Sequence, residues 1–126
     1  MEYTKDELKN IIKESIVNND NATYHALMVI YTRQSEQEQS FGETIHLNGV
    51  GFGGMDSKIL SSFAKQYGRC GSLSSKQLGL AKRLLPKYAN QLFDNALYQG
   101  KYEMVKVLNP KTNRLVTKYR IKKDGN

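Results

Sequence analysis

The hydrophobic period of this chain changes once, and that change limits what it can fold into. Apolar residues recur every three or four positions in the segments 8–31 and 59–93. From Tyr102 onward β-branched and aromatic residues dominate, and Leu115, Thr117, Tyr119 and Ile121 recur at every second position, with Lys118, Arg120 and Lys122 falling on the other parity. The first pattern gathers side chains on one stripe of a helix, and the second gathers them on one face of a strand. The chain is therefore expected to be a mainly helical α+β domain with its β-structure at the C-terminal end.

Local signals set the boundaries. Thr4 followed by Glu7 is a capping box, in which each side chain satisfies an orphan backbone donor. Leu8, Ile11, Ile12 and Ile16 then predict a helix over 5–17. Residues 18–21 (Asn-Asn-Asp-Asn) stop it and cap the next, which Tyr24, Leu27, Met28 and Tyr31 carry to about Arg33. These two helices form an antiparallel hairpin over 1–34, expected to pack on the next two. Residues 34–40 are polar without periodicity and read as an exposed connection. Residues 44–47 read as a short strand, and Asn48-Gly49 as a tight turn leading into the glycines up to Gly54. Asp56 caps a third helix carrying Ile59, Leu60, Phe63 and Tyr67, with Gly68 and Gly71 as its terminators. Ser74 with Gln77 is a second capping box, opening a fourth helix that continues to Phe93. Pro86 lies inside it and removes the amide that Lys82 would accept, so a kink or restart is expected there. Residues 109–113 (Asn-Pro-Lys-Thr-Asn) are turn chemistry between two strands. The 126 residues form one domain: a helical hairpin at 1–34, a glycine-rich turn plus helix-loop-helix at 44–98, and a basic β-hairpin at 101–123.

Charge is segregated along this frame. Residues 1–56 hold nine acids and four bases, whereas residues 57–93 hold seven bases and no acid. Residues 101–126 add eight bases against Glu103 and Asp124. A 37-residue stretch without a carboxylate has no local means of neutralising itself and projects a positive field toward a partner. Nucleic acid is the expected partner, DNA or RNA, because each phosphate contact releases condensed counterions.

Other classes find little support. A single Cys70 excludes an internal disulfide framework and fits a cytoplasmic setting. The N-terminus is charged and does not resemble a signal peptide, and the longest apolar run, 26–31, is too short to span a bilayer. No membrane partner is expected. His25, His46 and Cys70 have no metal-ligand spacing. The basic half lacks the paired carboxylates a metal-dependent nuclease needs. The glycine-rich stretch lacks the Gly-Lys-Ser/Thr ending of a phosphate loop, and Asp56 would repel a phosphate there. We expect no enzyme activity, no cofactor and no metal.

The expected contacts lie on two surfaces. Lys76, Arg83 and Lys87, spaced by seven and four, share a face of the fourth helix, with Lys82 beside it. Lys65 and Arg69 extend this surface from the third helix. The two helices resemble a helix-turn-helix, with the basic hairpin in the place of a wing. On that hairpin Lys118, Arg120 and Lys122 share a face, with Lys106 expected on the same one across the turn. Tyr102 and Tyr119 among these cations would suit stacked single-strand bases. An exposed hairpin edge also suits pairing with a second copy of the chain.

A family likeness runs through the same region. Residues 48–52 (Asn-Gly-Val-Gly-Phe) and Asp56, then 60–67 (Leu-Ser-Ser-Phe-Ala-Lys-Gln-Tyr), 71–78 (Gly-Ser-Leu-Ser-Ser-Lys-Gln-Leu) and 81–92 (Ala-Lys-Arg-Leu-Leu-Pro-Lys-Tyr-Ala-Asn-Gln-Leu) carry it. This segment resembles a small module of bacteriophage and mobile-element proteins, found alone or attached to helicase-like and replication proteins. The resemblance implies an accessory role around nucleic acid, or action on host machinery, and transfers no catalytic residue. The alternative is an anti-defence inhibitor (anti-CRISPR-like) whose partner is a host defence nuclease. Being basic, it would engage an acidic patch or the guide RNA.

Overall fold

In the computed structural model, residues 2–41 and 52–122 are described, with side chains described at 2–34 and 52–122. Among these residues five α-helices, α1 (Lys5–Asn18), α2 (Asp20–Phe41), α3 (Asp56–Cys70), α4 (Ser75–Leu84) and α5 (Ala89–Tyr98), precede an antiparallel hairpin, β1 (Tyr102–Asn109) and β2 (Arg114–Ile121). A 3-10 turn, Leu85–Tyr88, joins α4 to α5. The fold is mainly helical α+β, as the periodicity predicts.

Both capping boxes form. The Thr4 hydroxyl accepts from the Glu7 amide at 3.1 Å while Glu7 accepts from the Thr4 amide at 2.7 Å. Ser74 and Gln77 repeat the exchange at 3.2 and 2.8 Å. Asn19 ends α1 and, through its side chain, accepts from Ala22 to open α2. The buried Thr23 hydroxyl donates to the Ile16 carbonyl at 2.6 Å, pinning the two helices together.

Helix α2 is central, contributing Ala26, Leu27 and Ile30 to the core and touching α1, α3, α4 and α5. Leu60 and Phe63 of α3, Ala81 of α4, Leu85 and Tyr88 of the 3-10 turn, and Leu92 of α5 complete it. Helix α1 buries Leu8 and Ile16 but leaves Ile11 36% exposed, and packs chiefly on α2, α5 and the 3-10 turn.

Three local expectations change and a fourth holds. Residues 34–40 belong to α2 and not to a connection: Gln, Glu and Ser propagate a helix without an apolar stripe. Asp56 is the first residue of α3 and makes no cap, since its buried carboxylate turns inward to Tyr88 and Lys87. Gly68 lies within α3, and Gly71 ends it with φ +77°, a conformation that only glycine adopts without strain. At Pro86 the expected restart occurs, with α4 stopping at Leu84 and α5 beginning at Ala89. The predicted strand at 44–47, the Asn48-Gly49 turn and the glycine stretch through Gly51 lie outside the described residues.

The hairpin stands on the helices by its base. Tyr102 and Tyr119 pack on Phe93 of α5, with ring centroids 5.4 and 5.1 Å away. Tyr3 exchanges two backbone hydrogen bonds of 2.8 Å with Tyr119, covering the outer edge of β2 at that rung. Among the described residues no helix is long and apolar enough to cross a membrane.

Candidate nucleic-acid interface

The acid-free segment folds into α3, α4, the 3-10 turn and the first half of α5, and its cations divide by what they meet. Lys65 and Arg69 are exposed one turn apart on α3, where Lys58, Ser61 and Ser62 join them along a shallow open depression. Lys76 and Arg83 are exposed on α4, two turns apart. Gln66 and Gln77 exchange hydrogen bonds of 2.8 and 2.9 Å, locking α3 to the first turn of α4. Lys65 and Lys76, their sequence neighbours, therefore ride on elements held in fixed relation.

Lys82 and Lys87 meet acids contributed from residues 1–56. Lys82 is half-buried and pairs with Asp20 of α2 at 2.6 Å. Lys87 pairs with Asp56. The relation of Arg83 to Lys87 predicted from continuous helix does not survive Pro86, because a 3-10 turn advances three residues per turn and redirects the side chain. Asp56 also accepts from the Tyr88 hydroxyl at 3.1 Å, and that hydroxyl accepts from the Gly53 amide at 2.9 Å. Burial pushes the Tyr88 phenol up to about 12, and the adjacent Asp56 carboxylate works in the same direction. Nearby, Gln34 of α2 accepts from the Phe52 amide at 2.9 Å and donates to Ser61 at 3.3 Å. The start of α3 and the residues before it are thus tied to α2 and the 3-10 turn by polar contacts.

On the hairpin the register separates what alternation along the chain had grouped. Lys106 faces Thr117 across the ladder and donates to its hydroxyl at 2.6 Å, while Lys118 faces Val105 and Arg120 faces Glu103. Directly paired residues share a face, so Lys106 lies opposite Lys118 and Arg120. Arg120 is engaged, donating to Glu2 at 2.7 and 3.2 Å with Glu103 at 3.9 Å. Its hydrogen bonds hold the Glu2 carboxyl below the ordinary carboxylate value. Lys118 is half-buried and Lys122 exposed. Tyr102 and Tyr119 are turned onto Phe93, and burial raises the Tyr102 phenol, so these rings are not an open stacking platform.

Between residues 57 and 122, four exposed cations escape a reading of the sequence by faces: Lys58, Lys101, Lys111 and Arg114. Lys111 and Arg114 stand in and beside the hairpin turn, and the absence of any acid from Met104 to Lys122 is the signal that marks them. Cys70 is exposed at the end of α3, His25 is exposed on α2, and His46 lies outside the described residues. Among the described residues no group of three His, Cys, Asp or Glu side chains is placed to hold a metal ion. Comparison with protein-family models, curated proteins and solved structures finds no match for this chain.

Proposed function

We propose that this protein is a non-catalytic nucleic-acid-binding accessory protein that grips phosphates through α3 and α4. One observation carries the reading. Of the seven cations between residues 57 and 93, Lys58, Lys65, Arg69, Lys76 and Arg83 are exposed with no carboxylate partner among the described residues. A fold that needed these charges for its own stability would pair them, and such pairs contribute little when exposed. Left open, they are suited to a polyanion. A kinship of residues 48–92 with the phage and mobile-element module is part of this proposal and would imply the same accessory role.

The test is binding of a labelled 20-base-pair duplex by fluorescence anisotropy as KCl rises. The logarithm of affinity should fall steeply with the logarithm of salt. Changing Lys65, Arg69, Lys76 and Arg83 to Gln should flatten that slope by up to about 3.6 units, about 0.9 for each phosphate no longer neutralised. A folded quadruple variant with an unchanged slope would reject this surface. Weak, salt-insensitive binding together with a co-purifying host nuclease would replace the reading with the anti-defence one.

A further inference from the structure

The hairpin ends in an arrangement that the helical surface does not explain. Strands of eight residues reach about 25 Å at the usual rise of a β-strand, and their fixed contacts with the helices are at the Tyr102 and Tyr119 end. At the far end Leu108 pairs with Leu115 on one face, 54% and 67% exposed. Pro110 is exposed in the turn beyond them, and Lys111 and Arg114 flank it. The turn is held in one shape. Asn109 accepts from the Lys111 amide through its side chain at 2.9 Å and from the Asn113 amide through its carbonyl at 2.7 Å, with Asn113 at φ +57°. This is an apolar tip collared by cations, on an arm with six bases and no acid from residue 104 to 122, a surface complementary in charge to a polyanion.

We propose that this tip enters the minor groove of duplex DNA, with Pro110, Leu108 and Leu115 wedging at a base step and Lys111 and Arg114 on the flanking phosphates. The inference rests on the nucleic-acid reading above and adds the site, the groove and a deformation of the duplex. Minor-groove proteins combine these residue types: Arg, Lys or Asn along the groove and a Pro, Leu, Ile, Met or Phe wedge that unstacks a step. Single-strand binding is disfavoured because the hairpin's tyrosines are packed on Phe93 and the turn offers no ring for bases to stack on. A lipid surface is disfavoured because the tip has no Trp, Tyr or Phe to anchor at the headgroup level.

The experiment uses the whole chain and an end-labelled duplex whose bending is read by energy transfer. Wild type should bend the duplex, and a matched duplex with inosine in place of guanine should bind about tenfold more tightly, because only the minor-groove amino group is removed. Pro110→Ala with Leu108→Ser and Leu115→Ser should abolish the bend, while Lys111→Gln with Arg114→Gln should flatten the salt slope by about two units. All five positions are solvent-exposed, and an unchanged circular dichroism spectrum confirms folding. An unbent duplex, indifference to inosine, or wild-type capture by phosphatidylserine vesicles in preference to duplex would overturn the proposal. If salt-dependent binding persists and responds only to the α3 and α4 substitutions, the tip assignment fails and the broader reading stands. If wild type does not bind duplex at all, both fail.

Discussion

Replacing Tyr88 by Phe isolates one hydroxyl. The ring is buried and meets Phe52 edge-on at 5.8 Å, a contact that phenylalanine preserves. The substitution removes the hydroxyl's donation to Asp56 at 3.1 Å and its acceptance from Gly53 at 2.9 Å. Gly53 is exposed, so its amide finds water at little cost. Asp56 is only 8% exposed and keeps Lys87 alone, so the cost there is that of a hydrogen bond to a buried charge, about 1.5–3 kcal/mol. For a domain of this size the melting temperature should fall by about 5–12 °C. Urea unfolding followed by circular dichroism at pH 7 measures the change, with an unaltered slope against denaturant showing that only the native state was affected. Proton linkage gives an independent signature. The folded state holds the phenolic proton more tightly than the unfolded chain, whose phenol titrates near 10. The contribution is therefore complete below about pH 10 and is lost as pH rises through about 12. The Tyr88→Phe variant should lack that alkaline loss. If its stability at pH 7 lies within about 0.5 kcal/mol of wild type, the hydroxyl does not hold the start of α3 to the 3-10 turn.

Leu85 is fully buried in the 3-10 turn, so Leu85→Ala should cost about 2–5 kcal/mol in the same urea assay. Glu2 has a lowered carboxyl because of Arg120, so its tether to the hairpin is present above the ordinary carboxylate value and lost as pH falls through the lowered one. Amide exchange at Tyr3 and Tyr119 should accelerate over that acidic range in wild type, and Glu2→Gln should show the faster exchange already at neutral pH. Asp20→Asn should release Lys82 and, if Lys82 then reaches a phosphate, steepen the salt slope by about 0.9; an unchanged slope would place Lys82 away from the nucleic acid.

The elements legible in the sequence were those with a local cause. Thr4 with Glu7 and Ser74 with Gln77 need only neighbours three residues away, and Pro86 acts through its own missing amide. Tertiary competition decided the rest. Asp56 has the chemistry of a cap, but the fold offered its carboxylate a lysine and a tyrosine hydroxyl from residues 87 and 88. The end of α2 escaped because polar helix formers leave no apolar period to detect. On the hairpin, alternation sorted the faces of β2 correctly, but assigning Lys106 needed the register, which depends on the turn length. A one-residue difference in pairing moves a side chain to the other face.

The segregation of charge has a consequence that net charge alone hides. The fold draws on Glu2, Asp20 and Asp56, all from the acidic part of the chain, to engage Arg120, Lys82 and Lys87. The two exposed pairs add little to stability and the third satisfies the buried Asp56 carboxylate, and all three act on the surface by subtraction: three cations that the sequence assigns to the basic face are diverted to internal ties. Among the cations that remain outward are a stripe on α3 and α4 and the collar of the hairpin tip. Under the proposed function these two are the surfaces whose neutralisation the salt slope should register. The diverted cations should register only after their carboxylates are taken away. That asymmetry separates a phosphate-binding surface from a uniformly basic protein, because in the latter every lysine would contribute alike.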